Sequence, residues 1–264
     1  MPIRHTVVPS LLLGATLTCT ALSCKPATPA SDKTSPAITA DDAAPKPSTS
    51  NLAKPTASAP GLEWIFSKPA GVSFAKTETT VAQFRACAAA GACTIVSRGE
   101  ECDWNRHDRE DHPVNCVDAH DGETFCTWVG GRLPTEQEWY AEASNGGTRR
   151  FPWGGDPKSA ADDKLFDCAH AVWADKPDPR GCGKGSSWPV CSKPAGNSVS
   201  GLCDMAGNGW EWTTGGTNGQ TILRGGSWHY ERPVSSMPKA TGGADGTFPW
   251  WGEMGFRCAR SKPT

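Results

Sequence analysis

The sequence lacks any Cys-x-x-Cys or His-x-x-x-His spacing, so it offers no pattern typical of a structural zinc site. It also lacks a large excess of positive or negative charge, since its net charge is −2 and its pI is near 6.3. A nucleic-acid partner or an anionic membrane surface is therefore not expected. No Gly-x-Ser-x-Gly elbow or phosphate-binding loop is present. Tyrosine is scarce, with two residues against 12 tryptophans and 29 glycines, which favours irregular backbone held by large aromatic side chains.

Cysteine, by contrast, is abundant, with 12 residues in the chain. This number indicates an oxidising compartment, and ten of the cysteines follow residue 24, which predicts five disulfides. Cys191 with Cys203, and Cys168 with Cys182, are the predicted pairs, because each brackets a loop of about a dozen residues. A redox-active pair is the open alternative. The ten candidates are Cys87, Cys93, Cys102, Cys116, Cys126, Cys168, Cys182, Cys191, Cys203 and Cys258.

The first 24 residues have the pattern of a secretory signal peptide. A short basic start precedes an apolar run that is too short and too interrupted to span a membrane. The run ends in A-L-S-C, which resembles a bacterial lipobox with Cys24 as the lipid-bearing residue, although Ala21 stands where leucine is usual. The chain is thus predicted to be an exported, membrane-anchored lipoprotein, periplasmic or on the cell surface. Cleavage by ordinary signal peptidase, giving a secreted protein, is the alternative.

Residues 25–60 are predicted to be a disordered linker, and residues 61–264 a folded domain. The linker holds seven prolines, many Ala, Ser and Thr residues and no aromatic residue, so it cannot bury enough surface to become ordered. In the domain, helices are predicted over 81–90 and 119–129. A third helix starts at the capping box of Thr135 and Glu138 and ends at Asn145-Gly146. Short strands are predicted at 222–224 and 256–259.

The stretch G-L-C-D-M-A-G-N-G-W-E-W at 201–212 concentrates acidic side chains and glycine turns. It places Asp204, Gly207, Gly209 and Glu211 in the spacing Asp-x-x-Gly-x-Gly-x-Glu. Carboxylate oxygens, with backbone carbonyls of a glycine turn, suit a hard cation such as calcium. The alternative is a glycine turn with an acidic residue on either side and no ion.

Seven stretches, in order, resemble the formylglycine-generating enzyme (sulfatase-modifying factor) family. They are E-T-T-V-A-Q-F at 78–84, H-P-V-N-C-V-D-A at 112–119, G-R-L-P-T-E-Q-E-W at 131–139, F-P-W-G at 151–154, the 201–212 stretch, L-R-G-G-S-W at 223–228 and G-F-R-C-A-R at 255–260. The resemblance implies a single α+β domain, related to C-type lectin folds, with little regular secondary structure and bound calcium.

The resemblance also assigns roles to particular residues. It implies that Asp204 and Glu211 supply side-chain oxygens to a structural calcium ion, and that Gly207 and Gly209 supply carbonyls. It further suggests that Asp167 begins a second calcium site.

The copper site of the same family is not reproduced. The family's enzyme oxidises a substrate cysteine with copper and oxygen, and holds copper(I) between two cysteine thiolates that follow the R-G-G-S-[FW] motif. The matching positions here are Tyr230 and Ser235, which are not thiols. Copper is therefore not expected, and no catalytic residue is assigned.

The leading functional hypothesis is a binding module of the cell envelope, whose partner is a peptide, a glycan or an envelope protein. Its candidate cleft is an aromatic patch, for which a purely structural role of the side chains is the alternative. An oxidase of the formylglycine-generating or nonheme-metal family, modifying a secreted protein or peptide, is the second hypothesis. A structural envelope lipoprotein is the third. The cleft candidates are Trp228, His229, Tyr230, Trp250 and Trp251, with Phe248 beside them.

Overall fold

The structure is a computed structural model that describes residues 59–94, 99–174, 180–215, 221–229, 239–241 and 251–261. All of them belong to one compact unit, Leu52–Thr264. The predicted signal peptide, most of the predicted linker, and Cys24, Tyr230, Ser235, Phe248 and Trp250 lie outside the described residues. Within the described ranges, no helix is long and apolar enough to cross a membrane.

Three short helices begin at capping boxes. In each, the N-cap side chain accepts a hydrogen bond from the N3 amide, and the N3 side chain accepts one from the N-cap amide. The N-caps are Thr80, Asp118 and Thr135. The predicted helices are confirmed to within two residues at their ends. They are α1 (Val81–Ala89), α2 (Ala119–Trp128) and α3 (Glu136–Ala143).

Two small sheets carry the strands. The first is antiparallel in the order β1-β2-β7, with β1 at Trp64–Phe66, β2 at Ser73–Ala75 and β7 at Ala259–Arg260. The second has the order β5-β4-β3-β6, with β3 at Trp210–Thr213, β4 at Ile222–Arg224, β5 at Lys239–Thr241 and β6 at Met254–Gly255. Strand β3 is central: Glu211 is opposite Arg224 in antiparallel β4 and opposite Gly255 in parallel β6.

The predicted strand at 222–224 is confirmed, but the one at 256–259 is wrong. The structure instead has β6 before residue 256 and β7 starting at Ala259. The intervening backbone serves other partners, since Phe256 O accepts from Thr79 N and Cys258 O accepts from Ala75 N. This segment passes from one sheet to the other, and its side chains Phe256 and Cys258 are buried in the main core.

The main core lies between helices α1 and α2 and the second sheet. The rings of Phe84, Phe125 and Phe256 meet with centroids 5.5–6.3 Å apart. These side chains are at most 2 % exposed. Irregular segments and 3-10 turns make up most of the other described residues, so the domain is a mixed helix and sheet fold with little regular secondary structure, as predicted.

Five disulfides join all ten predicted cysteines. The two predicted pairs, Cys168–Cys182 and Cys191–Cys203, are both present. Cys87–Cys93 and Cys102–Cys116 also close local loops. Only Cys126–Cys258 is long-range among the five, with a sequence separation of 132, and it ties helix α2 to the residue before β7.

We predict that replacing Cys126 and Cys258 together by serine costs more stability than replacing Cys87 and Cys93. In the chain-entropy model, closing loops of 132 and 6 residues contributes about 5 and about 2 kcal/mol respectively. All four side chains are buried, so loss of packing is similar in the two variants. Urea unfolding of both variants measures the difference, and equal losses would contradict the prediction.

Candidate functional site

The loop from Gly201 to Gly209 is built from left-handed backbone conformations. Asp204, Gly207 and Asn208 have φ of 55°, 79° and 65°. At Gly207 a β-carbon would lie 2.5 Å from the carbonyl oxygen of Val172, so a larger residue would not fit. The loop delivers the chain into β3, which places Glu211 in the middle of the second sheet.

Glu211 forms a fully buried ion pair with Arg257. The guanidinium donates from Nε to Oε2 and from Nη2 to Oε1, both at 2.6 Å, and both side chains are 0 % exposed. The indole Nε1 of Trp139 donates a third hydrogen bond to Oε2 at 2.7 Å. Arg257 Nη2 also donates to Cys203 O, and Nη1 donates to Lys76 O. The pair therefore connects β3, helix α3 and the loop from Gly201 to Gly209, which we call the motif loop.

Two further carboxylates are buried near this pair. Glu78 accepts hydrogen bonds from Asn208 Nδ2 and from Gly209 N, each at 2.8 Å. Burial, together with the charges of Asp204 and Glu211, raises the pKa of Glu78 well above its ordinary value. Asp204 Oδ2 accepts from Cys191 N at 2.6 Å. Burial raises the pKa of Asp204 to about 6, although the Cys191 amide and Arg257 act in the opposite direction.

At the first predicted calcium site, one of the two acidic side chains, Glu211, is already hydrogen-bonded to other protein groups. The Glu211 carboxylate already receives three donors, one of them a bidentate cation, so its side chain does not fit the predicted role of calcium ligand. In the part of the chain that the structure describes, no group of three or more His, Cys, Asp or Glu side chains is arranged to hold a metal ion. Calcium binding by Asp204 with the carbonyls of Gly207 and Gly209 stays a prediction.

Asp167, the residue assigned to a second calcium site, caps a local turn. Its Oδ1 accepts from Ala169 N at 2.9 Å and from His170 N at 3.2 Å, and it lies 2.7 Å from His170 Nδ1. The His170 ring stacks on Trp153 with centroids 5.1 Å apart. The side chain of Asp167 is 49 % exposed, and the calcium assignment here also stays a prediction.

The described part of the predicted cleft centres on Trp228 and His229. The backbone of Trp228 is held at both ends, because its N–H donates to Asn208 O and its carbonyl accepts from Gly181 N. The Trp228 and His229 rings stack with centroids 5.3 Å apart and planes 18° from parallel. Tyr230 and Trp250 lie outside the described residues, and Trp251 begins the 3-10 turn Trp251–Glu253.

Glu253 is a site residue that sequence reasoning missed. It is 7 % exposed, it accepts from the Ser227 hydroxyl at Oε2, and its Oε1 accepts from His229 Nδ1 at 2.6 Å. The only sequence signal was a glutamate just before the G-F-R-C-A-R stretch, 24 residues from its imidazole partner. Trp228 and Glu253 both line a small pocket with room for about one water molecule. Its other polar lining residues are Asn115, Ser187 and Asn208.

A second polar network reaches the same pocket through Ser187. The Ser187 hydroxyl donates to the buried carboxylate of Asp103, which also binds Arg109 at 2.6 Å. His112 Nδ1 lies 2.9 Å from Ser187 Oγ, and burial lowers the pKa of His112. Because the serine hydroxyl is directed at a carboxylate, this is a structural network rather than an activated nucleophile.

Residues 69–262 match the family described as Sulfatase-modifying factor enzyme 1-like domain. The chain belongs to this sulfatase-modifying factor family. The match covers nearly the whole predicted domain and confirms the resemblance carried by the seven motifs. The cluster of Glu211, Arg257 and Trp139 is therefore assembled from three stretches that carry the family likeness.

Curated members of the family include both oxygenases and a protein named as inactive. Hercynine oxygenase of Mycolicibacterium smegmatis is 34% identical over 146 residues, which is 45% of this chain and 31% of that protein. Formylglycine-generating enzyme of Bos taurus is 37% identical over 109 residues, 40% and 28% of the two chains. Inactive C-alpha-formylglycine-generating enzyme 2 of Bos taurus is 31% identical over 172 residues, 56% and 50% of the two. The matches thus span only 28–50% of these relatives.

Solved structures with the same fold include PvdO from Pseudomonas aeruginosa and CarF. For PvdO the TM-score is 0.52 and the identity 20%, covering 72% of this chain and 80% of that one. For CarF the values are 0.50, 22%, 73% and 87%. At these identities the likeness shows the fold of the sulfatase-modifying factor domain alone.

We predict that Glu211→Gln lowers the free energy of unfolding by about 3–5 kcal/mol, because it removes the charged carboxylate that pairs bidentately with the buried Arg257. The matched control is Glu63→Gln, which removes an exposed partner of Lys76 and should cost less than about 1 kcal/mol. Chemical unfolding of both variants measures the two losses. Comparable losses would contradict the structural role of the buried pair.

We also predict that, in the presence of chelator, Asp204 makes the domain less stable as the pH rises from 4 to 6. The folded-state pKa of about 6 lies above the ordinary 3.8, so the folded protein binds the proton more tightly and loses that advantage as the carboxyl ionises. The contribution is about 3 kcal/mol. Asp204→Asn should flatten the curve of stability against pH by this amount, whereas parallel curves would contradict the prediction.

The same pair of proteins tests the calcium prediction. At pH 7, calcium bound at Asp204 should raise the melting temperature of the wild type and leave that of Asp204→Asn unchanged. An equal response of both proteins, or none, would remove Asp204 as a calcium ligand.

Proposed function

We propose that this protein is an exported, lipid-anchored binding module of the cell envelope that does not carry out copper-dependent cysteine oxidation. The observation that carries the proposal is the use of its cysteines. All ten beyond residue 24 are in disulfides, and the family's two copper-binding positions are Tyr230 and Ser235. A copper(I) site of the family type needs two thiolates, and a disulfide sulfur is not one.

We place the cleft of this module around Trp228, His229 and the small pocket that Trp228 and Glu253 line. Asn208 and Asn115 use their amides within the protein, since Asn208 binds Glu78 and Trp188, and Asn115 binds Gly252. Two half-buried side chains lie nearby: Trp228, which lines the pocket, and His229, which contacts the lining residue Glu253. An aromatic and a polar group side by side suit a peptide, a glycan or a segment of an envelope protein.

The names of the relatives indicate that this family includes both active enzymes and an inactive member. One is called an inactive formylglycine-generating enzyme, and others are called oxygenases. Each name describes that relative, and the matched segment is at most half of it. A role as a binding module is consistent with the first kind of relative.

An oxidase of a different design is the second candidate. It is favoured by His229, an imidazole with Nδ1 hydrogen-bonded to a carboxylate, which is also the arrangement of many metal-binding histidines. The histidine directly precedes the position of the first missing cysteine. Such an oxidase would act on a secreted protein or peptide.

The experiment that separates the two candidates is a thiol count combined with oxygen consumption. The exported protein, purified from an oxidising compartment, is alkylated after unfolding, once directly and once after mild reduction of the folded protein. We expect no reactive thiol among the ten cysteines in either case, and no oxygen uptake with cysteine-containing or aromatic peptides in the presence of copper or iron. A pair that opens under mild reduction, or steady oxygen uptake, would contradict the proposal and favour the oxidase.

A further inference from the structure

The geometry points to His229 and Glu253 as a proton-accepting dyad that binds a weakly acidic S–H or O–H group of a ligand in the cleft. The inference rests on the proposed function, because it assigns a chemical task to the same cleft. It concerns two residues: the buried carboxylate of Glu253, which lines the small pocket, and the partly exposed imidazole of His229, which contacts that carboxylate.

The carboxylate of Glu253 is fixed from within the protein. Its side chain is 9 % exposed, the Ser227 hydroxyl donates to Oε2, and Oε1 is left to accept from the imidazole at 2.6 Å. Glu253 ends the 3-10 turn Trp251–Glu253 and directly precedes β6, which pairs with β3. A group placed in this way cannot follow a moving histidine, so it determines where the ring lies.

The imidazole of His229 is held on two sides. Because a carboxylate only accepts, Nδ1 must carry the proton in this contact, and Nε2 of the neutral ring is then an acceptor. The Trp228 ring stacks against the imidazole, and the Trp228 backbone is itself anchored to Asn208 and Gly181. The two nitrogens lie on opposite sides of the ring, so Nε2 is directed away from Glu253. The side chain is 31 % exposed, and no described residue hydrogen-bonds to Nε2.

A second histidine–carboxylate contact in the chain shows what a purely local arrangement looks like. His170 Nδ1 lies 2.7 Å from Asp167, but Asp167 is 49 % exposed and its same oxygen accepts two backbone amides of the turn. Asp167 and His170 are three residues apart, whereas Glu253 and His229 come from separate segments and Glu253 lines a pocket. The difference in burial and position favours a role for the pair of His229 and Glu253 beyond closing a turn.

The chemistry of the dyad limits the ligand. A neutral imidazole can take a proton from a group whose pKa is only a few units above that of imidazolium, and among the uncharged side chains of peptides these are the thiol of cysteine and the phenol of tyrosine. The S–H or O–H bond breaks, its electron pair stays on sulfur or oxygen, and the proton moves to Nε2. The resulting imidazolium is paired with the Glu253 carboxylate. No oxidant or metal takes part in this step.

The test uses the full-length protein and observes the side-chain nitrogens of histidine by ¹⁵N NMR, with His229→Gln for assignment. We expect His229 to carry its proton on Nδ1. N-acetylcysteine amide or N-acetyltyrosine amide, at millimolar concentration, should shift Nε2 toward its protonated position. The matched probes S-methyl-N-acetylcysteine amide and N-acetylphenylalanine amide lack the acidic proton and should cause no such shift. His170 serves as the internal control and should not respond to any probe.

Glu253→Gln is the variant that tests positioning. It keeps the shape of the side chain and removes the negative charge, so it should weaken the preference for Nδ1–H and reduce the probe-induced shift at least threefold. The inference is overturned if His229 carries its proton on Nε2, if neither acidic probe shifts Nε2, or if Glu253→Gln responds like the wild type. A shift by only one acidic probe identifies the ligand class as thiol or phenol.

Failure of the dyad and failure of the proposed function give different results. Trp228→Ala removes the cleft wall without touching the Glu253 carboxylate. If the probes bind without changing Nε2, and Trp228→Ala weakens that binding, the cleft stands and the dyad fails. Oxygen uptake with the same probes would instead overturn the binding-module proposal.

Discussion

The buried pair of Glu211 and Arg257 is the interaction on which the rest of the domain depends. Two fully buried charges are costly unless their geometry is good and their remaining hydrogen-bonding atoms are satisfied. Here the contact is bidentate, Trp139 donates to the carboxylate, and the guanidinium reaches the carbonyls of Cys203 and Lys76. Because these partners come from distant segments, the pair is satisfied only when helix α3, strand β3 and the chain before β7 are all in place.

The surroundings of this pair explain why the motif loop needs its particular residues. Asp204 and Glu78 add two buried carboxylates beside a single guanidinium, and their raised pKa values reflect burial first. The loop compensates with backbone amides, since Gly209 and Cys191 donate to these carboxylates. Left-handed turns at Asp204, Gly207 and Asn208 position the loop that carries these contacts. The glycines and acids of the motif therefore have a structural reason to occur together, whether or not a calcium ion is bound.

Several short-range features of this domain could be predicted from sequence, although not the local disulfides Cys87–Cys93 and Cys102–Cys116, and the long-range ones could not. The capping box at Thr135 and the disulfides Cys168–Cys182 and Cys191–Cys203 connect residues close in sequence, where spacing limits the choices. Strands of two to four residues carry almost no periodic signal, so β1, β2 and β3 were not predicted. The partners of Glu78 and Glu253 lie 24 or more residues away, and nothing in their local sequence indicates them. For the fold class, the family resemblance supplied what local patterns could not.

The cysteines of this protein differ in position and in pairing from those that the family's enzyme uses to hold copper. A thiolate metal site needs reduced cysteines in a cleft. Here the ten cysteines beyond residue 24 form five disulfides, of which four close local loops and one joins α2 to the segment before β7. The cleft region instead presents an imidazole backed by a buried carboxylate. That arrangement can accept a proton but supplies neither electrons nor a soft metal ligand. Under the proposed function, a cleft that offers acid–base contacts in place of thiols would recognise a weakly acidic side chain and release it unchanged.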